Sequence, residues 1–236
     1  MRQLVVGAFI TLDGVVQAPG GPNEDRDGGF QHGGWLVPYF DAKLGEIMTE
    51  WTKRAGAFLL GRKTYQIFAE SWPKSTDPAD EIATVLNTRR KYVASRTLDR
   101  VSWNNSILLQ GDVAQEVAKL KAQEGGEIQV HGSGNLIQTL LQHDLVDTLR
   151  IWQFPVILGA GKRLFGEGTI PRSLRLLDTQ PEHNWCSSLY LRPLGAASST
   201  AKSQLARTHW YSTQNRRTSD GEILPAGCRP GIAVLL

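Results

Sequence analysis

Cysteine is nearly missing from this chain: Cys186 and Cys228 are the two in 236 residues. A single pair cannot build a disulfide framework, and no Cys-x-x-Cys offers a zinc spacing, so the fold must rest on an apolar core. No apolar run approaches the roughly 18 residues of a membrane-spanning helix. The N-terminus is apolar only from Leu4 to Ile10 and meets Asp13 at once, too short for a secretory leader. The expected setting is the cytoplasm, with no membrane partner.

A dominant charge is also lacking. Lys and Arg number 26 against 23 Asp and Glu, a net charge of +3. Residues 199–236 hold five cations (Lys202, Arg207, Arg216, Arg217, Arg229) and two anions (Asp220, Glu222), which is the whole excess. Residues 1–198 therefore sum to zero, and nothing marks them as binding nucleic acid. The five histidines show no metal-ligand spacing, so no metal is expected. No serine or cysteine sits in a nucleophile elbow.

What is present is an α/β alternation. Apolar runs at Gln3–Phe9, Ala57–Leu60, Lys91–Ser95, Ile107–Gln110, Glu127–His131 and Thr148–Phe154 read as strands. Helical spacing recurs from Phe40 to Trp51, over Pro78–Leu86 with Asp77 as N-cap, over Asp112–Gln123 and over Asn135–Gln142. Leu174–Leu177 and Ser188–Arg192 read as a closing antiparallel pair. The pattern predicts a mainly parallel central sheet with an antiparallel C-terminal edge. Residues 18–34, rich in glycine, proline and charge, read as a long mobile loop of the kind that is functional when it persists in a compact domain. Residues 1–197 are expected to form one domain and 198–236 a disordered basic tail.

Three turns carry the chemistry. A strand ends at Gly61, and Arg62, Lys63 and Thr64 open a helix, so two cations and a hydroxyl meet an anion-attracting helix N-terminus. The run is not a P-loop: Arg62 separates glycine from lysine, and the four residues between Gly56 and Gly61 are the strand itself. A second strand delivers Ser95 and Arg96, the latter suited to bidentate phosphate pairing. The third turn is Gly132-Ser133-Gly134 with Asn135, between strand and helix; Ile137 stands where a Rossmann fingerprint has its last glycine, which disfavours an ordinary Rossmann domain. Each turn also has a plain reading, as a solvated helix start or surface loop. Asp41 fits the first turn of its helix on dipole grounds alone.

In this order, Leu12-Asp13-Gly14, Leu60-Gly61-Arg62-Lys63-Thr64-Tyr65, Ser95-Arg96 and Val130-His131-Gly132-Ser133-Gly134 resemble the dihydrofolate reductase-like superfamily. The stretch from Leu145 through Pro155–Phe165 resembles specifically the reductase domain of bacterial riboflavin biosynthesis protein RibD. The resemblance covers about Gln3 to Leu194. It implies a three-layer α/β/α fold on an eight-stranded mixed sheet, and NADPH as cofactor. Gly61, Arg62, Lys63 and Thr64 then match the pyrophosphate turn, Ser95 and Arg96 the adenosine 2′-phosphate site, and Gly132, Ser133, Gly134 and Asn135 the glycine-rich turn at the cofactor. The implied activity is reduction of a pyrimidine- or pteridine-like heterocycle, of the 5-amino-6-(5-phosphoribosylamino)uracil reductase type. Dihydrofolate reductase-type activity and a non-catalytic nucleotide-binding role are the alternatives. Asp41 and Glu46 are the two candidates for the catalytic acid of the first helix. Loop 18–34 is expected to act as a lid, Trp35, Tyr39 and Phe40 to be candidates for stacking on the substrate, and a homodimer is expected by analogy. No His-x-Glu with Pro-Cys-x-x-Cys deaminase pattern occurs in the chain, so a stand-alone reductase domain is expected.

Overall fold

A computed structural model describes residues 1–182 and 186–196; the tail expected from residue 198 lies outside the described residues. Eight strands form one sheet: β1 (Leu4–Thr11), β2 (Ala55–Gly61), β3 (Arg90–Ala94), β4 (Ser106–Leu108), β5 (Glu127–His131), β6 (Thr148–Phe154), β7 (Arg172–Glu182) and β8 (Cys186–Ala196). Their order across the sheet is β4-β3-β2-β5-β1-β6-β8-β7, parallel except for β8, which runs against both β6 and β7. The helices are α1 (Ala42–Lys53), α2 (Arg62–Ser71), α3 (Glu81–Thr88), α4 (Val113–Ala122) and α5 (Gly134–Gln142). This is the three-layer α/β fold with the antiparallel edge that the sequence predicts. Among the described residues, no helix is long and apolar enough to cross a membrane.

Period-two alternation decides which layer each strand residue meets. On β1, Leu4, Val6, Ala8 and Ile10 face α4 and α5, joining Val117, Leu120, Ile137 and Leu140 in one core. The opposite face meets α1, α2 and α3 in two cores. One holds Leu44, Met48, Trp51, Trp152 and Phe154; the other holds Phe58, Leu60, Tyr65, Leu86 and Trp103. Each fully buried leucine or phenylalanine contributes about 2 kcal/mol of transfer free energy. The central strands are covered on both sides, which is why their sequences are near-continuous apolar runs.

Two expectations need correction. Helix α3 begins at Glu81, not at Pro78, because Asp80 rather than Asp77 is the cap: its carboxylate accepts from Ala83 N at 2.9 Å. Asp77 instead closes a tight turn, accepting from Ala79 N at 2.8 Å. Both positions offer the same acid before a helical pattern, so the capping signal alone does not choose between them. The second correction concerns residues 18–34, which are fastened to the domain. Phe30 is buried, as are Trp35 and Leu36 just beyond, and the buried Gln17 amide donates to the carbonyls of Asp25 (3.1 Å) and Asp27 (3.0 Å). Trp35 Nε1 donates to Gln17 O at 2.8 Å, so this ring belongs to the core rather than to a substrate.

Candidate functional site

Parallel strands β3, β2 and β5 are neighbours, so their C-terminal ends, and the three predicted turns, share one edge of the sheet. Gly61 pairs in register with Ala94, which places Ser95 and Arg96 beside the start of α2. Open α/β sheets bind ligands at this edge. Ser133 ties the first turn to the third. Its hydroxyl accepts from Gly61 N at 2.9 Å and lies 2.9 Å from Thr64 Oγ1 and 3.1 Å from the His131 carbonyl. Ser133 holds a left-handed conformation (φ 62°, ψ 49°), uncommon for a residue with a side chain and retained here by these bonds. Gly132 is also left-handed (φ +52°), and a Cβ there would stand 3.1 Å from Thr64 Oγ1.

Helix capping separates these turns from the rest of the fold. Helices α1, α3 and α4 are each closed by an aspartate, Asp41, Asp80 and Asp112, whose carboxylate accepts a first-turn N–H. Helices α2 and α5, which open from the first and third of these turns, have no side-chain cap. Their first N–H groups remain available for an anion. Arg62 and Arg96 are exposed, and neither has an acid partner among the described residues. Asn135 is exposed in the first turn of α5. Ser95 holds its own turn, accepting from Leu98 N at 3.0 Å and Thr97 N at 3.2 Å.

Lys63 is engaged by an acid pair that sequence patterning did not single out. It ion-pairs with Asp27 and with Asp25 (3.4 Å), and both acids are bridged by Lys162 at 2.8 and 2.6 Å. Bonds from Lys162 and Lys63 hold the Asp27 carboxyl down at about 2. Gln17 completes the network, its side-chain carbonyl accepting from Lys162 N at 2.9 Å. Asp13 fastens the neighbouring loop: it accepts from Thr11 Oγ1 (2.6 Å) and from Gly159 N (2.9 Å), and the hydroxyl bond leads in lowering its carboxyl to about 2.

The two candidate acids stand apart from this network. Asp41 caps α1, accepting from Leu44 N at 2.9 Å. Glu46 lies on the exposed face of α1 and pairs with Lys43 at 3.1 Å. Near the C-terminal ends of β1 and β6, Tyr39 and Phe9 pack near Phe154 at ring separations of 6.1 and 6.0 Å. Phe40 is half exposed beside them, while Leu12 and Ile157 are exposed where the backbones of β1 and β6 leave the sheet, Leu12 N donating to Val156 O at 2.8 Å. An apolar rim thus adjoins a polar, anion-ready edge.

Comparison with known proteins gives the chain a family and agrees with its fold. The model of the family described as the RibD C-terminal domain matches residues 2–184. YyaP of Bacillus subtilis strain 168, itself uncharacterised, is 30% identical over 181 residues, covering 76% of this chain and 88% of its own length. A solved protein of Shewanella sp. PV-4, provisionally assigned to riboflavin biosynthesis, superposes with a TM-score of 0.60 at 22% identity, over 82% of this chain and 99% of that one. The Thermotoga maritima diaminohydroxyphosphoribosylaminopyrimidine deaminase/5-amino-6-(5-phosphoribosylamino)uracil reductase superposes with a TM-score of 0.55 at 15% identity, over 81% of this chain and 56% of that one. At these identities the solved structures speak for the fold.

Proposed function

Because the chain belongs to the RibD C-terminal domain family, we propose that it is an NADPH-dependent reductase of a pyrimidine-like heterocycle, of the 5-amino-6-(5-phosphoribosylamino)uracil reductase type. One observation carries the cofactor half of this reading: the only helices among α1 to α5 without a side-chain N-cap are α2 and α5, whose starts Ser133 knits together. NADPH carries two separate anionic centres, and the edge offers two groups of donors. Arg62, Lys63, Thr64 and the first turn of α2 would hold the pyrophosphate. Arg96, with Ser95, would meet the 2′-phosphate, which NADH lacks. Gly132, Ser133, Gly134 and Asn135 would lie against the cofactor backbone, and a Cβ added at Gly134 would meet nothing within 4 Å. The cofactor, once bound, supplies the hydride; the chain supplies orientation and electrostatics.

Phe40, with Leu12 and Ile157, gives the substrate ring an apolar rim, and the fastened segment 18–34 would keep water from the reacting carbon. Folate-type reduction is the weaker reading. It asks for a carboxylate committed to the pterin, whereas Asp41 is bonded to its own helix and Glu46 faces away with Lys43.

Titration of the purified chain with NADPH and NADH, followed by nucleotide fluorescence, tests the proposal. NADPH should bind the more tightly. Arg62→Ala should weaken it about tenfold or more, the worth of one lost charge-assisted bond. Arg96→Ala should erase the preference over NADH. Equal affinity for both nucleotides in parent and Arg96→Ala alike would sink the 2′-phosphate assignment, and no binding of either would sink the reductase reading.

The acid pair gives a result of opposite sign. Asp27→Asn should tighten NADPH binding about threefold, since Lys63 then faces phosphate with one competing carboxylate, Asp25, in place of two, while Asp25 and Gln17 still hold the segment. Unchanged or weaker binding in that variant would show that Lys63 does not reach the cofactor.

A further inference from the structure

Tyr65 ends the motif that opens α2, but no phosphate contact is asked of it. Its ring is 4% exposed, in the core with Phe58, Leu60, Leu86 and Trp103. A phenol buried this deeply needs a partner for its hydroxyl. Tyr65 Oη accepts from the backbone N–H of Ser102 at 2.8 Å and of Trp103 at 2.9 Å. Both amides belong to the segment between β3 and β4, the same segment that begins with Ser95 and Arg96. Two donors converging on one oxygen hold it in two directions at once.

The far end of that segment has its own seat on α3 and β3. Trp103 Nε1 donates to Asn87 Oδ1 at 2.9 Å, and Asn87 Nδ2 donates to Trp72 O at 3.0 Å. The buried Lys91 ammonium lies 4.2 Å from the Trp103 ring centroid and donates to the carbonyls of Leu86 (2.7 Å) and Arg89 (2.9 Å). Asn105 Nδ2 donates to Thr88 O at 3.0 Å, and Leu98 and Val101 pack against the same core. Tyr65 fastens the first turn of α2 to this seat.

The distance so fixed matters because of the covalent geometry of the nucleotide. On the cofactor reading, α2 carries Arg62 and Lys63 for the pyrophosphate, and the segment after β3 carries Arg96 for the 2′-phosphate. NADPH hangs both groups from one ribose, so the sugar sets the distance between them. The two groups of donors lie on separate elements and act together only where those elements are held at that distance. When they are, the second contact is intramolecular and multiplies the first. When they are not, that gain is lost although each group of donors is intact.

We propose, resting on the cofactor reading of this edge, that Tyr65 is the positioning residue that sets this spacing. Through it, Tyr65 sets the preference for a nucleotide with two phosphate centres over a nucleotide with one. Its oxygen is engaged by Ser102 and Trp103, and its effect reaches the nucleotide through α2 and Arg96.

The test titrates the full chain and its Tyr65→Phe variant with NADPH, NADH and adenosine 2′-monophosphate. The first ligand has both centres and the other two have one each. Phenylalanine keeps the ring in the core and removes the acceptor. NADPH should bind about tenfold more weakly to Tyr65→Phe, while the other two keep their affinities within about twofold. Added to Arg96→Ala, the change should weaken NADPH no further, because a lone pyrophosphate contact has no spacing to lose. Should Tyr65→Phe not fold, Ser102→Pro deletes one of the two donors at an exposed position and is read for the same pattern. Equal weakening of all three ligands overturns the proposal, since that is the signature of a phenol that only supports the fold. A parent that prefers NADPH and a variant that prefers it as strongly overturns this inference alone. A parent with no preference for NADPH overturns the cofactor reading and the inference with it.

Discussion

Gly7→Ala should lower the stability of the chain by about 3 kcal/mol and drop its melting temperature by roughly 6 to 12 °C. A Cβ built on Gly7 would stand 2.0 Å from Cη2 of Trp51, with Cζ2 at 2.7 Å and Cζ3 at 2.9 Å. No van der Waals contact survives at such distances, so either the ring or the strand must move. The strand is central, paired to β5 on one side and β6 on the other. The ring is 3% exposed, stacked on His131 at 4.5 Å and packed on Trp152 at 4.9 Å. Pushing Trp51 back pushes His131, and with it the chain entering the Gly132-Ser133 turn. Nucleotide affinity should therefore fall together with stability, although Gly7 lies in the strand interior. The second substitution Trp51→Phe removes the offending atoms of the indole, so the double variant should recover part of the loss. That non-additivity separates a clash from any intrinsic effect of alanine in a strand. A melting temperature for Gly7→Ala within about 2 °C of the parent would defeat the argument.

Glycine at position 7 illustrates what a linear reading can and cannot deliver. Strands β5 and β6 run over 127–131 and 148–154, as the apolar runs bounded by glycine and proline predict. Sheets buried on both faces write their strands into the sequence without reference to any partner. The hairpin β7–β8 is longer than its apolar segments, because Leu174, Leu176, Leu177 and Leu194 stay exposed among polar neighbours and leave no clean alternation. The three turns are legible for the same local reason: a strand, a short polar motif and a helix are contiguous in the chain. The network that fastens residues 18–34 is not. Lys162 reaches Asp25 and Asp27 across more than a hundred residues, and an aspartate in a glycine-rich loop carries no mark of a distant lysine. Charge in such a loop reads as solvation, and only the fold shows it to be a clasp.

His131 should make the protein lose about 2–3 kcal/mol of stability as pH falls from 6.5 to 4. Burial pushes its imidazole from 6.5 down to about 4. The ring stacks on Trp51, meets Phe58 at 5.4 Å and Phe68 at 6.3 Å, and among the described residues its Nε2 lies 3.2 Å from Gln129 Oε1. In the unfolded chain the same imidazole takes up a proton near pH 6.5. Between that value and 4 the unfolded state holds more protons than the folded one, so stability rises with pH and is lost on acidification. Asp13 and Asp27, both held near 2, lose their contribution only below the usual carboxylate range, and so fall outside this window. Urea unfolding at pH 7, 6, 5 and 4 measures the slope, which for one proton is about 1.4 kcal/mol per pH unit. His131→Phe keeps a flat ring against Trp51 and removes the titration, so its slope should be shallower by about one proton. Parallel slopes in parent and variant would assign the acid lability to other groups. Since the His131 carbonyl receives the Ser133 hydroxyl, the charged ring should also loosen the turn that ties α5 to α2. Nucleotide affinity should then fall below pH 5 in the parent and hold in His131→Phe, while the fold itself is still populated.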